Sequence, residues 1–146
     1  MQFETEGQKE CYEKILPWMK ELFGIYLKVR EDVPSFGVIV GSAYTQVGVY
    51  PWGKNEATIT TRSYVVTNIN IVEDLMDYLL HENDRMRFGA FGLDSDNDIF
   101  FEHTILGSTS DKEEIKSSIL AVVYTADEYD DIIRQRWGGE RAIDRS

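Results

Sequence analysis

At 146 residues, 42% hydrophobic and 28% charged, the chain has the size and composition of one folded domain with a single buried core. A formal charge of −11 and scattered Lys and Arg argue against nucleic-acid binding, which needs clustered basic residues. No apolar run approaches the roughly twenty residues of a membrane span. The start, Met1 to Glu6, is acidic rather than leader-like. Cys11, alone, allows neither an internal disulfide nor a cysteine zinc site. These bounds predict a single cytoplasmic domain over residues 1–146, with no membrane and no nucleic-acid partner. Its acidity favours basic partners through long-range steering.

In chain order, a first helix is predicted from about Thr5 to Gly24, because Tyr12, Ile15, Leu16, Met19, Leu22 and Phe23 recur at three- and four-residue steps. Pro17 lies inside it and predicts a kink or two short helices. Trp18 projects off the stripe. It packs under a loop by ordinary burial tendency, or serves as an exposed contact. Residues 25–35 read as mixed, with Val33-Pro34 disfavouring helix.

From Phe36 to Asn68 the composition turns to β-formers. One strand carries Phe36, Val38 and Val40, and a second carries Val47 and Val49 ahead of a turn at Pro51–Asn55. A third, from about Ala57 to Thr67, alternates Ile59, Thr61, Ser63 and Val65 with Thr58, Thr60, Arg62, Tyr64 and Val66. Connections this short predict an antiparallel meander. A second helix follows from about Ile71 to Asn83, with Asn70 as its N-cap.

Met86 to Leu106 predicts a hairpin, two apolar strands around the turn formers Asp94-Ser95-Asp96-Asn97-Asp98. A last helix starts at a capping box of Ser110 and Glu113 and ends at Gly138-Gly139, burying Ile115, Ile119, Val122, Val123, Ala126, Tyr129 and Ile133. The tail from Glu140 is expected to fray. The whole is an α+β fold of order α-βββ-α-ββ-α with about five strands.

Chemistry is sparse. Asp94, Asp96 and Asp98 open like a calcium loop, but its sixth position is Ile99 and its twelfth Ile105. A solvated turn is therefore the first reading and a weak cation site the alternative. His81 and His103 lie in no metal or acid–base spacing, and Cys11 sits between Glu10 and Glu13, which discourage a thiolate. Gly37–Ser42 lacks the lysine and the helix of a phosphate loop. No catalytic residue, metal or cofactor is implied. The run Asp127-Glu128-Tyr129-Asp130-Asp131 reads as the wet face of the last helix, or as a docking surface for a basic segment.

The hairpin motif Phe88-Gly89-Ala90-Phe91-Gly92-Leu93-Asp94, with Asp96 and Asp98-Ile99 and a long amphipathic helix behind it, resembles the YbjN-like proteins, which share the fold of the type III secretion chaperones. The resemblance is specific over residues 70–136 and follows element order elsewhere. Asn97 stands where that turn often carries glycine. It implies a small acidic protein, often dimeric, that binds other proteins and has no established enzymatic role.

The expected function is thus non-enzymatic: a chaperone-like or adaptor protein holding a client segment. Trp18, Tyr50, Trp52, Tyr64, Asp127, Asp130 and Asp131 are the candidate contacts. A small-molecule-binding or enzymatic domain, with a pocket between sheet and helices near Tyr64 or His103, is the alternative; a subunit of a larger assembly is a third. Free sheet edges and aromatic Tyr50 and Trp52 predict a homodimer, opposed by the charge of −11.

Overall fold

The apolar stripe of the first segment forms α1, Glu6–Phe23, and a computed structural model of the chain describes residues 1–144. Thr5 caps α1, its hydroxyl accepting from the Gln8 N–H at 3.1 Å. The helix runs unbroken through Pro17, so the two short helices expected there do not form. Pro17 and Glu13 both lie on the exposed side, where water can serve the carbonyl that loses its partner. The buried side carries Cys11, Tyr12, Ile15, Met19 and Phe23. A Cβ on Gly7 would come within 2.5 Å of the Asn55 backbone, so this glycine sets how closely α1 approaches the sheet.

The sheet is antiparallel and, among the described residues, has seven strands rather than five: β1 Leu27–Val29, β2 Ser35–Val40, β3 Ala43–Trp52, β4 Glu56–Thr67, β5 Ala90–Leu93, β6 Ile99–Leu106 and β7 Glu140–Arg141. Their spatial order is β1-β2-β3-β4-β6-β5. The first addition, β1, arises from the stretch read as mixed, where Leu27 and Val29 pair with Val38 and Phe36. The second, β7, arises from the tail expected to fray, and residues 145 and 146 lie outside the described ones. Pairing of β3 with β4 ends at Thr45 and Ser63, and β7 takes up the strand beyond, at Val66 and Thr67. β3 continues through Pro51 and Trp52, which were expected in a turn. β5 begins only at Ala90, leaving Met86 and Phe88 outside the sheet.

One sheet face carries Phe36, Val38, Val47, Val49, Ile59, Ile99 and Phe101, all buried, as strict alternation requires. α1 and α3 (Lys112–Trp137) cover that face. Ile115, Ile119 and Ile133 of α3 are wholly buried, each contributing about 1.5–3 kcal/mol by its removal from water. The cap of α3 is displaced by one residue from the predicted box. Asp111, not Ser110, accepts from the Glu114 N–H at 2.8 Å, and the Ser110 hydroxyl donates to the Leu106 carbonyl. α2 spans Glu73–Arg85 with Val72 at its N-cap, so Asn70 is not the cap. It packs against α3 and β5 through Leu75, Leu79, the Tyr129–Glu82 hydrogen bond and the Tyr78–Trp137 ring pair. Among the described residues no helix is long and apolar enough to cross a membrane.

Candidate functional site

Because side chains alternate along a strand, burying one face of β3, β4 and β6 turns Tyr44, Gln46, Tyr50 and Trp52, then Thr58, Thr60, Arg62 and Tyr64, then Phe100, Glu102 and Thr104 to the other. Among the described residues no long helix covers this face. Tyr50 is 53% and Trp52 64% exposed, unusual for rings that size within a strand. The centre of the face is fixed by cross-strand pairs. Arg62 lies opposite Glu102, its Nε donating to Oε1 at 2.8 Å, and its guanidinium stacks 3.8 Å from the Phe100 ring centroid. Tyr64 meets Phe100 edge-on, and the Thr60 and Thr104 hydroxyls bond at 2.9 Å.

Two clefts lie end to end here, sharing Tyr64. One, about 420 Å³, runs over Gln46, Gly48, Tyr50, Thr60, Arg62 and Glu102. The other, about 520 Å³, is bounded by Ile39, Tyr44, Thr67, the three aspartates of the β5–β6 turn, and Ala142 and Ile143 of the 3-10 turn after β7. In that turn Asp94 Oδ1 accepts from the Asp96 and Asp98 N–H groups, both at 2.9 Å, and Asn97 takes a φ of +63° that asparagine tolerates. Burial opposes charge on Asp94. The hydrogen bonds from Asp98, Tyr64 and Asp96 outweigh it and hold this carboxyl below its ordinary value. Burial likewise raises Tyr64, and its bond to Asp94 adds to the effect.

Of the residues singled out in the sequence, Tyr50, Trp52 and Tyr64 share this open face. Trp18 does not: it is half-buried on α1, packed against the core with Lys14 Nζ 5.7 Å from its ring centroid. Asp127 and Asp131 are exposed on α3, on the helical side. Asp130 and Tyr129 belong to no wet face. Asp130 is 3% exposed and Tyr129 9%, so the acidic run is split by packing. The Ser42 hydroxyl, in the β2–β3 turn, touches both Asp127 Oδ1 and Asp130 Oδ2. Hydrogen bonds from Ser42 lower Asp127, whereas burial raises Asp130. Tyr44, Arg62 and Phe100 were not singled out, although their alternation with Tyr64 and Gln46 was the signal that could have found them.

A separate, apolar cleft of about 290 Å³ lies where α2 flanks the edge strand β5, lined by Met76, Leu79, Leu80 and Leu93. The Asn83 amide bonds both backbone groups of Phe91 there. His103 and Tyr64 point to opposite faces of the sheet, so they cannot line one pocket between sheet and helices. His103 Nδ1 instead pairs with the Ser118 hydroxyl of α3 at 2.8 Å, and burial lowers its pKa. Burial also raises the Cys11 thiol, against a thiolate role.

Residues 11–145 match the family TY-Chap1, described as T3SS (YopN, CesT) and YbjN peptide-binding chaperone 1. Solved structures that share the fold include two chaperone complexes. A chain of the HopA1–SchA chaperone–effector complex superposes with a TM-score of 0.62 at 9% identity, covering 83% of this chain and 94% of that one. A chain of the ExsC–ExsE complex gives 0.64 at 12% identity, covering 88% and 96%. No curated protein matches.

Proposed function

This chain belongs to the T3SS and YbjN peptide-binding chaperone family, and from that premise we propose that it holds an extended segment of a client protein across the open face of its sheet, without catalysing a reaction. The observation that carries the reading is the uncovered face itself. Tyr50 and Trp52 stand exposed on β3, beside a groove running through Tyr64 to the acidic turn. Rigid strands hold these rings in place, so a segment laid over them gains aromatic contact at little entropic cost. Thr60, Gln46 and Thr104 offer hydrogen bonds between the rings.

The chemistry of the groove favours a basic segment. Asp94, Asp96 and Asp98 stand at one end, and the whole chain carries −11. A basic segment would be drawn in by that field, and an acidic one repelled. The protein acts in the cytoplasm as a homodimer on this reading. The test is a peptide array probed with the whole chain and with Tyr50→Ala and Trp52→Ala. Binding concentrated on basic, aromatic-containing peptides and weakened about tenfold in both variants supports the proposal. Binding left intact in both places the client elsewhere.

A further inference from the structure

The acidic turn has a feature that a solvated hairpin does not need. We propose that Asp94, Asp96 and Asp98, together with Thr67, form a site for a hard divalent cation of the size of calcium. One carboxylate oxygen from each aspartate lies within 4.8 Å of the others. Oxygens that close fit around a single ion with bonds of roughly 2.3–2.6 Å, the range calcium takes. Every donor is oxygen, the set a hard cation prefers, with no histidine or cysteine in the group.

Thr67 is the independent observation. It is 3% exposed and lines the same cleft, and its hydroxyl has no hydrogen-bond partner among the described residues. A bulge between Tyr64 and Val66 explains its direction. Val66 pairs with Ile99 on the helical side, so Thr67, the next residue, turns to the side of Tyr64. A buried hydroxyl left unbonded is costly and uncommon in native proteins. A cation in the cleft, directly or through a bound water, would engage it.

Charge points the same way. Three carboxylates face one cleft, and among the described residues that bound it none is lysine or arginine, Arg62 acting on Asp94 from the neighbouring cleft. The backbone N–H groups of Asp96 and Asp98 both donate to Asp94 Oδ1 at 2.9 Å and fix its carboxylate in the turn. Asp96 is exposed, so the site opens to solvent and leaves room for water ligands. Three carboxylates without a bidentate glutamate predict a dissociation constant on the order of 10⁻⁴–10⁻³ M.

The experiment is titration of the whole chain, stripped with EDTA, with terbium while exciting tyrosine, followed by displacement with calcium. Tyr64 and Tyr44 border the cleft and would sensitise emission. The expected result is saturable emission, reversed by calcium, with at least tenfold weaker binding in Asp96→Asn and severalfold weaker binding in Thr67→Val. Asp84→Asn, removing one charge from an exposed part of α2, should bind as the parent does. Unsaturable emission, or equal loss in Asp96→Asn and Asp84→Asn, would mean diffuse attraction to an acidic surface and overturn the site. Unchanged binding in Asp96→Asn would overturn it as well.

Discussion

Asn83 closes its side-chain amide onto the backbone of Phe91, Nδ2 donating to the carbonyl at 3.2 Å and Oδ1 accepting from the N–H at 2.7 Å. Phe91 lies on the edge strand β5, so one side chain occupies groups that another strand could otherwise pair with. Replacing Asn83 with Ala should cost about 1–2 kcal/mol and free the edge. A lower melting temperature with concentration-dependent oligomers in sedimentation velocity is expected. An equally stable variant with unchanged sedimentation would show that the amide does not guard the edge.

Asp127 and Asp130 meet at Ser42 with opposite pKa shifts, which gives them opposite pH dependence. Asp127, lowered by hydrogen bonds from Ser42, contributes stability present above the ordinary carboxylate pKa and lost as pH falls through its folded value. Asp130, raised by burial, does the reverse: its contribution is full below the ordinary value and is lost as pH rises through the folded one. Asp130→Asn keeps the shape, removes a buried charge and can still bond Ser42. It should raise stability at pH 7 by about 1 kcal/mol, the gain vanishing near pH 3. Thermal melts at both pH values measure this; a variant less stable than the parent at pH 7 contradicts it.

Ile119 is wholly buried at the centre of α3, so Ile119→Asp should unfold the chain, at a cost above about 4 kcal/mol. Glu128→Lys, on the exposed side, should change stability by less than about 0.5 kcal/mol. Asp130→Lys, benign if α3 presented its whole acidic run to water, should instead destabilise strongly, because Asp130 is buried against Ser42. Circular dichroism melts of the three variants separate these outcomes.

What could be read from the sequence was whatever one element decides for itself. The α3 stripe of Ile115, Ile119, Val122, Ala126, Tyr129 and Ile133 follows from its own spacing, and all six are buried. The β5–β6 turn follows from five consecutive turn formers. What stayed hidden depends on partners distant in the chain. β7 exists because β3 stops pairing at Thr45 and leaves the end of β4 open. Asp130 is buried because the β2–β3 turn brings Ser42 to it. Thr61 and Ser63 form part of the buried face as polar residues, so the hydrophobic signal of β4 was too weak to reveal that its opposite face is open. The site was legible at Tyr50, Trp52 and Tyr64 as exposed aromatic candidates. Their union with Arg62 and Phe100 needed the register.

Self-association should respond to salt. Two copies of a chain carrying −11 repel, and ionic strength near 0.1 M screens that repulsion over about 10 Å. The open edge β1 and the exposed Trp52 supply the attraction. A homodimer that tightens with salt is the expected result of sedimentation equilibrium at two ionic strengths. A strict monomer at high salt and tens of micromolar protein contradicts it.

The most direct test of the account is where a bound client segment sits. Isotope-labelled whole chain titrated with a basic peptide taken from the array should show its largest NMR shift changes at Tyr50, Thr60, Arg62, Tyr64 and Phe100, all on the open face of the sheet. Tyr50→Ala should weaken that peptide about tenfold while leaving the melting temperature within roughly 2 °C of the parent. Shift changes confined to the helical side, around Trp18 or Asp127, or to the cleft beside Leu80, with full affinity retained in Tyr50→Ala, would contradict the claim that the open sheet face holds the client.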